Sequence, residues 1–253
     1  MTKSFRVIAK IDIKSSDVIM GINFEGMRKV GNGKKMAKKY FKEGADELII
    51  NDVNASLFGR STALNFLKEC SKEIFIPVTL AGGLKNIEDV HKALINGADK
   101  VEINTAAVKD KSIISKISKV FGSQALVVSI NAKKISSNKW MVYIDKGREK
   151  TGLEVMKWAK FVEQSGAGEI HINSIDKDGT HQGFDLDLIK KISRVIKIPL
   201  VVGGGLGEVN HIDKLMKIKN IEGLSASSAL HYNTLTISQI KNTIIRANKE
   251  VRI

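Results

Sequence analysis

GADELIIN at residues 44–51 returns as GAGEIHIN at 166–173, and IPVTLAGGL at 76–84 returns as IPLVVGGGL at 198–206, both at an offset of 122. Two separate segments that share one offset mark an internal duplication. Around them, β-rich runs near 6–12, 47–52, 76–80, 99–103, 125–131, 168–173, 198–203 and 222–226 alternate with amphipathic helical patterns. The helical patterns lie near 32–44, 60–73, 86–96, 110–120, 153–165, 185–196, 208–218 and 234–248. Eight alternations of a buried strand and a covering helix predict a parallel sheet closed into a (β/α)8 TIM barrel. A chain of 253 residues has an ordinary length for one such barrel. One domain over 1–253 is therefore expected, built from half-barrels at about 1–122 and 123–253. Residues 132–147 (AKKISSNKWMVYIDKG) alternate apolar and polar positions and predict a hairpin insert over the barrel mouth.

Composition narrows the function classes. The chain is 43% hydrophobic, enough for a sizeable core, and carries a formal net charge of +14. Its lysines are spread through every helical stretch with no long basic run and no interleaved aromatics, so no nucleic-acid partner is expected. No apolar run approaches the roughly 18 residues of a membrane span, and no secretory leader is visible. A soluble, cytoplasmic protein with no membrane partner is expected. The single cysteine, Cys70, excludes a disulfide framework and reads as an inert, partly buried thiol. Neither a metal nor a cofactor is expected.

The duplication carries chemistry. A Gly-Gly pair follows the third strand of each half, Gly82–Gly83 and Gly204–Gly205, and a small polar cluster follows the fourth, Asn104–Thr105–Ala106 and Ser227–Ser228–Ala229. Glycines let backbone approach an anion, while N–H groups of the turn and the next helix start donate to its oxygens. For one such pair, the plain end of a strand explains the glycines as well. Two symmetric copies, with Gly179 of DKDGT beside the second, point to two phosphate sites and a substrate phosphorylated at both ends. Acid–base candidates sit at strand ends: Asp12 after the first strand, Asn131 in the corresponding place after the fifth, Asp52 after the second, and Asp176 and Asp178 after the sixth. Asp178 fits catalysis, substrate positioning or a helix cap. His91 and His211 read as solvated helix residues, and His231 either lines the second phosphate site or caps the last helix. At the opposite end, Arg6, Glu47, Lys100 and Glu169 lie at strand starts and would meet in a ring, either a stabilising plug or a gated opening.

RVIAKIDIK at 6–14, NFEG at 23–26, GADELIINDVNAS at 44–56, GADKVEINTAAV at 97–108, FGSQALVVSINAK at 121–133, GAGEIHINSIDKDGT at 166–180 and the GGG loop together resemble the cyclase subunit of imidazole glycerol phosphate synthase, the HisF family. The resemblance covers nearly the whole chain. It implies a glutaminase subunit (HisH-like) docked on the N-terminal face, with ammonia passing through the barrel to a phosphorylated nucleotide at the other end. It also implies that Arg6, Glu47, Lys100 and Glu169 form the ammonia gate, and that Asp99 is a docking residue. The chain departs from the family at three points. Asn131 stands where the family has a second catalytic carboxylate, Met20 where its flexible loop has a lysine, and Gly203 where its SGG phosphate loop has serine. An amide has no titratable proton. The pattern resembles HisF-like paralogues of surface-glycan pathways, which pass ammonia to an activated acetamido sugar to form an acetamidino group. The alternatives are a histidine-pathway cyclase and a non-catalytic activator of a glutaminase. The single-chain isomerase of the same pathway shares the duplication but has no need of the charged ring.

Overall fold

The computed structural model describes residues 4–53 and 61–252. Residues 54–56 of the GADELIINDVNAS motif and residue 60 of the expected helix 60–73 lie outside them. Among the described residues, twelve strands form one sheet. Eight are parallel and close a barrel: β1 (Arg6–Lys14), β4 (Glu47–Asp52), β5 (Val78–Ala81), β6 (Lys100–Ile103), β7 (Leu126–Ser136), β10 (Glu169–Ser174), β11 (Leu200–Gly203) and β12 (Gly223–Ala226), the last pairing back on β1. The other four are antiparallel extensions: β2 (Asp17–Ile22), β3 (Glu25–Asn32), β8 (Lys139–Ile144) and β9 (Glu149–Glu154). No helix among the described residues is long and apolar enough to cross a membrane.

The helices cover the barrel as the 3.6-residue periodicity predicts. They are α1 (Gly33–Lys42), α2 (Ser61–Cys70), α3 (Ile87–Ile95), α4 (Thr105–Lys109), α5 (Ser112–Phe121), α6 (Val155–Gln164), α7 (Leu186–Val195), α8 (Val209–Met216), α9 (Ser228–His231) and α10 (Ile237–Arg246). The strands' outer residues pack against them in one continuous core that includes Val7, Leu48, Leu80, Val101, Val128, Ile170, Val202 and Leu224. Cys70 is buried in that core, and burial pushes its thiol up to about 12, so it stays protonated and inert.

Three expectations need correction. The stretch after the first strand carries a hairpin, β2–β3, where the sequence pattern predicts no element. Its polar, glycine-bearing residues show no clean alternation, and the pairing to β1 creates the strands. The second insert is longer than 132–147: β7, β8 and β9 make a three-stranded antiparallel unit that ends only at Glu154. His211 is buried rather than solvated. Its Nδ1 accepts from the N–H groups of Gly207 and Glu208 (3.2 Å each) at the start of α8. His91 is exposed, as expected.

Candidate functional site

Period-2 alternation along a barrel strand sends every second residue to the axis. On β1 these are Arg6, Ile8, Lys10 and Asp12, so the barrel interior is a stack of layers.

The lowest layer is a ring of alternating charge. Arg6 Nη1 lies 2.8 Å from Glu47 and Nη2 lies 2.8 Å from Glu169. Lys100 Nζ closes the ring at 3.1 Å from Glu47 and 3.5 Å from Glu169. All four residues read as a converging set are therefore brought together. Above them Ile8, Ile49, Ala81 and Val201 form a small apolar cluster of their own. The next layer is polar and was not singled out from the sequence. Lys10, Glu102 and His171 are buried. His171 Nδ1 is 3.0 Å from Glu102 Oε2, and Nε2 is 2.8 Å from Ser225 Oγ. Burial opposes the charge on Lys10, but Asp12, Asp178 and Glu102 outweigh it and hold the ammonium charged. Burial likewise opposes ionisation of Glu102, and His171, Lys10 and Ser129 outweigh it, so its carboxyl sits below the usual range. Alternation alone could have flagged this layer, since each member lies two residues from a ring or rim residue on its strand. A lone lysine or histidine in an apolar run carries no such message.

At the mouth, Asp12 and Asn131 occupy matching forks. Each lies where a barrel strand pairs with its parallel neighbour on one side and with an insert on the other: Asp12 opposite Asn51 and Ile19, Asn131 opposite Asn173 and Tyr143. Asn51 Nδ2 donates to Asp12 Oδ1 at 2.6 Å, and Lys10 Nζ is 3.5 Å away from that oxygen. The first polar cluster opens on a cavity of about 710 Å³ lined by Asp12, Asn131, Gly82, Gly83, Asn104 and Thr105, with Lys10, Glu102, Ser129 and Asn173 at its floor. The second surrounds a pocket of only about 20 Å³ lined by Asp178, Gly179, Gly204, Gly205, Ser227 and Ser228. Lys10 and Asn173 line both, so the two clusters face each other across one floor.

The two clusters share backbone geometry. Gly82 and Gly204 adopt φ of +90° and +89°, Gly83 and Gly205 +67° and +101°, all in the left-handed region that glycine tolerates. A short helix begins within each cluster, α4 behind Asn104 and α9 behind Ser227. Among the described residues, neither helix start is capped by the side chain of its own cap residue. Thr105 Oγ1 accepts from the N–H of Asp145 (3.2 Å), tying the second insert to the first cluster.

Asp178 has its carboxyl pushed up to about 7 by burial and by Asp12, against the pull of Lys10 and His171. Such a group exchanges a proton at neutral pH, which suits general acid–base work. Its neighbour Asp176 instead holds structure, accepting from the N–H of Lys134 at 2.8 Å. Asp52 is buried and lines the large cavity. His231 does not line the second cluster's pocket. It ends α9, with Nδ1 2.7 Å from the Tyr40 hydroxyl, and burial pulls it down to about 4. Met20 is buried within β2. From the same hairpin, Phe24 and Met27 line the cavity, and Phe24 lies against Gly147 of the second insert. Gly203 has a spatial reason: a Cβ there would stand 2.5 Å from both Asn173 Oδ1 and Ser225 Oγ.

A family model described as "Histidine biosynthesis protein" matches residues 6–236. The chain is 40% identical over 248 residues to the imidazole glycerol phosphate synthase subunit HisF of one Bacillus cereus strain, covering 98% of each chain. Against the subunit of the same name from a second Bacillus cereus strain, identity is 39% over 248 residues with the same coverage.

Proposed function

The chain belongs to the histidine biosynthesis protein family, as a HisF-type enzyme subunit of the imidazole glycerol phosphate synthase kind, and from that premise we propose how its site is used. Ammonia enters at the ring of Arg6, Glu47, Lys100 and Glu169, rises past Ile8, Ile49, Ala81 and Val201, and meets a phosphorylated substrate at the mouth. Two anionic groups of that substrate rest on Gly82, Gly83, Asn104 and Thr105 on one side and on Gly179, Gly204, Gly205, Ser227 and Ser228 on the other. Asp12 and Asp178 exchange protons with the reacting carbon's substituents, and Asn131 orients substrate by hydrogen bonds alone. A glutaminase subunit supplies the ammonia from the N-terminal face. Supporting that face are Phe75, Ile95 and Val120, which are 77%, 66% and 61% exposed at the strand-start end, beside the exposed Asp99. We read the chain as one domain of two half-barrels divided near residue 122, working in the cytoplasm.

The acceptor in this reading is an acetamido sugar whose amide oxygen is activated as a leaving group. Ammonia adds to the amide carbon, the C–O bond breaks, and the oxygen departs with its activating group as the acetamidino C–N double bond forms. The observation that carries it is Asn131 at the fork matching Asp12. Replacing one oxygen by nitrogen closes no ring, so one carboxylate at the forks suffices, whereas ring closure with a missing acid–base partner loses roughly 10²–10⁴-fold. A second reading, the imidazole-forming cyclase itself, is favoured by 40% identity along 98% of the chain. The experiment that separates them supplies ammonia and the formimino nucleotide and measures imidazole glycerol phosphate. The sugar reading expects turnover at least 100-fold below that of a HisF subunit measured alongside, rising in Asn131→Asp. Rapid turnover by the unaltered chain would overturn it. A third reading, a barrel that only activates a glutaminase, expects no nitrogen transfer to either acceptor.

A further inference from the structure

Within the barrel, between the apolar cluster of Ile8, Ile49, Ala81 and Val201 and the floor of the mouth, lies the buried layer of Lys10, Glu102, His171 and Ser225. Its members come from β1, β6, β10 and β12, so the layer spans the barrel's cross-section. None belongs to the charged ring, to the two glycine clusters or to the forks of Asp12 and Asn131. A buried ionised carboxylate and a buried ammonium are costly to keep in a barrel that could be filled with aliphatic side chains. Room has been made for this layer as well: at position 203 any side chain would run into Asn173 and Ser225, with His171 Nε2 3.1 Å away.

Hydrogen bonding limits what the layer can do. An ionised carboxylate only accepts, so Nδ1 of His171 carries a proton and donates it to Glu102 Oε2. The other ring nitrogen meets Ser225 Oγ, which fixes the ring's orientation. A carboxylate offers about four acceptor positions. His171 and Ser129 occupy two of them, and Glu102 lines the floor of the large cavity. Among the described residues, acceptor positions therefore remain on the side of the cavity that Glu102 lines.

Resting on the reading that ammonia climbs the barrel axis, we propose that Glu102 is the residue that receives it at the top of that path. Its free carboxylate positions accept the N–H groups of ammonia, leaving the nitrogen lone pair directed up toward the substrate carbon. His171 and Ser225 are positioning residues that hold the carboxylate in place, and His171 together with Lys10 keeps it ionised. Glu102 here orients the nucleophile and takes no proton, and the proton released on C–N bond formation goes to the Asp12–Asp178 pair at the rim.

Two measurements test this. With histidine rings labelled with ¹⁵N, the whole chain is titrated with ammonium chloride and, separately, with sodium chloride at the same mildly alkaline pH. A saturable shift of the His171 ring resonances with ammonium alone is expected, and Glu102→Gln abolishes it. Equal movement in both salts, or in neither, would overturn the proposal. The comparison of salts needs only the unaltered chain, so it stands even where Glu102→Gln fails to fold, and Ser129→Ala then gives a milder version of the same loss. In turnover driven by external ammonia, Glu102→Gln should raise KM for ammonia at least tenfold while leaving KM for the phosphorylated acceptor unchanged. A lower kcat with an unchanged KM for ammonia marks a merely structural carboxylate and overturns the proposal. If no acceptor reacts, the proposed function fails, and the titration still decides whether Glu102 binds ammonia.

Discussion

The first glycine cluster opens on a cavity of about 710 Å³ and the second on one of about 20 Å³, although the two clusters are built alike. Their glycine pairs share left-handed φ angles, and their short helices α4 and α9 begin behind caps with φ of −126° and −124°. Their inserts spring from corresponding strands, at Asp12 and at Asn131. The two clusters thus share a backbone geometry while their side chains differ. The first half kept a carboxylate at its fork. The second half has an amide there and its acid one loop later, at Asp178, where burial pushes the carboxyl up to about 7.

That difference can be tested at five positions. The largest effect is expected from Asp12→Asn, which makes the two forks chemically equal. Turnover with ammonia should fall about 10²–10⁴-fold, while Asn131→Ala, assayed alongside, changes it far less. Next comes pH. Asp178 is protonated below about 7 and ionised above, so kcat/KM should show an inflection near neutrality that Asp178→Asn removes. The same shift makes the folded chain hold a proton that the unfolded one has released. Stability should therefore decline as pH rises from the usual carboxylate range to about 7, less steeply in Asp178→Asn when followed by denaturant unfolding. Third, Gly82→Ala and Gly204→Ala each force a side chain onto a left-handed residue, against Asp52 backbone in one case and Ser174 backbone in the other. Both should raise KM for the phosphorylated acceptor. Equal increases would show that both clusters carry a phosphate, and an increase for Gly82→Ala alone would assign anion binding to the open cluster only. The smallest effect is expected from Gly203→Ser, which crowds Asn173 and Ser225. Overpacking of this kind costs about 1–3 kcal/mol, read as a lowered Tm.

Much of the site was legible because the barrel converts sequence position into depth. Residues at strand starts meet at one end and residues at strand ends at the other, so Arg6, Glu47, Lys100 and Glu169 were recognisable as a set, as were the glycine clusters. The β2–β3 hairpin was not, because its strands exist through pairing with β1 rather than through a pattern of their own. His211 was misread because a histidine near a helix start looks the same whether it faces water or accepts from the turn before it.

The sequence alone determined the duplication, the eightfold alternation of strand and helix, and the residue types available at each strand end. These are properties of local periodicity and composition, and they survive without knowledge of neighbours. The tertiary structure alone decided that Lys10, Glu102, His171 and Ser225 form one layer, that a side chain at position 203 would crowd Asn173 and Ser225, and that two matching clusters enclose such different volumes. Those facts depend on the stagger between strands distant in the chain, which sets whose side chains share a height on the axis, and no single segment encodes that stagger.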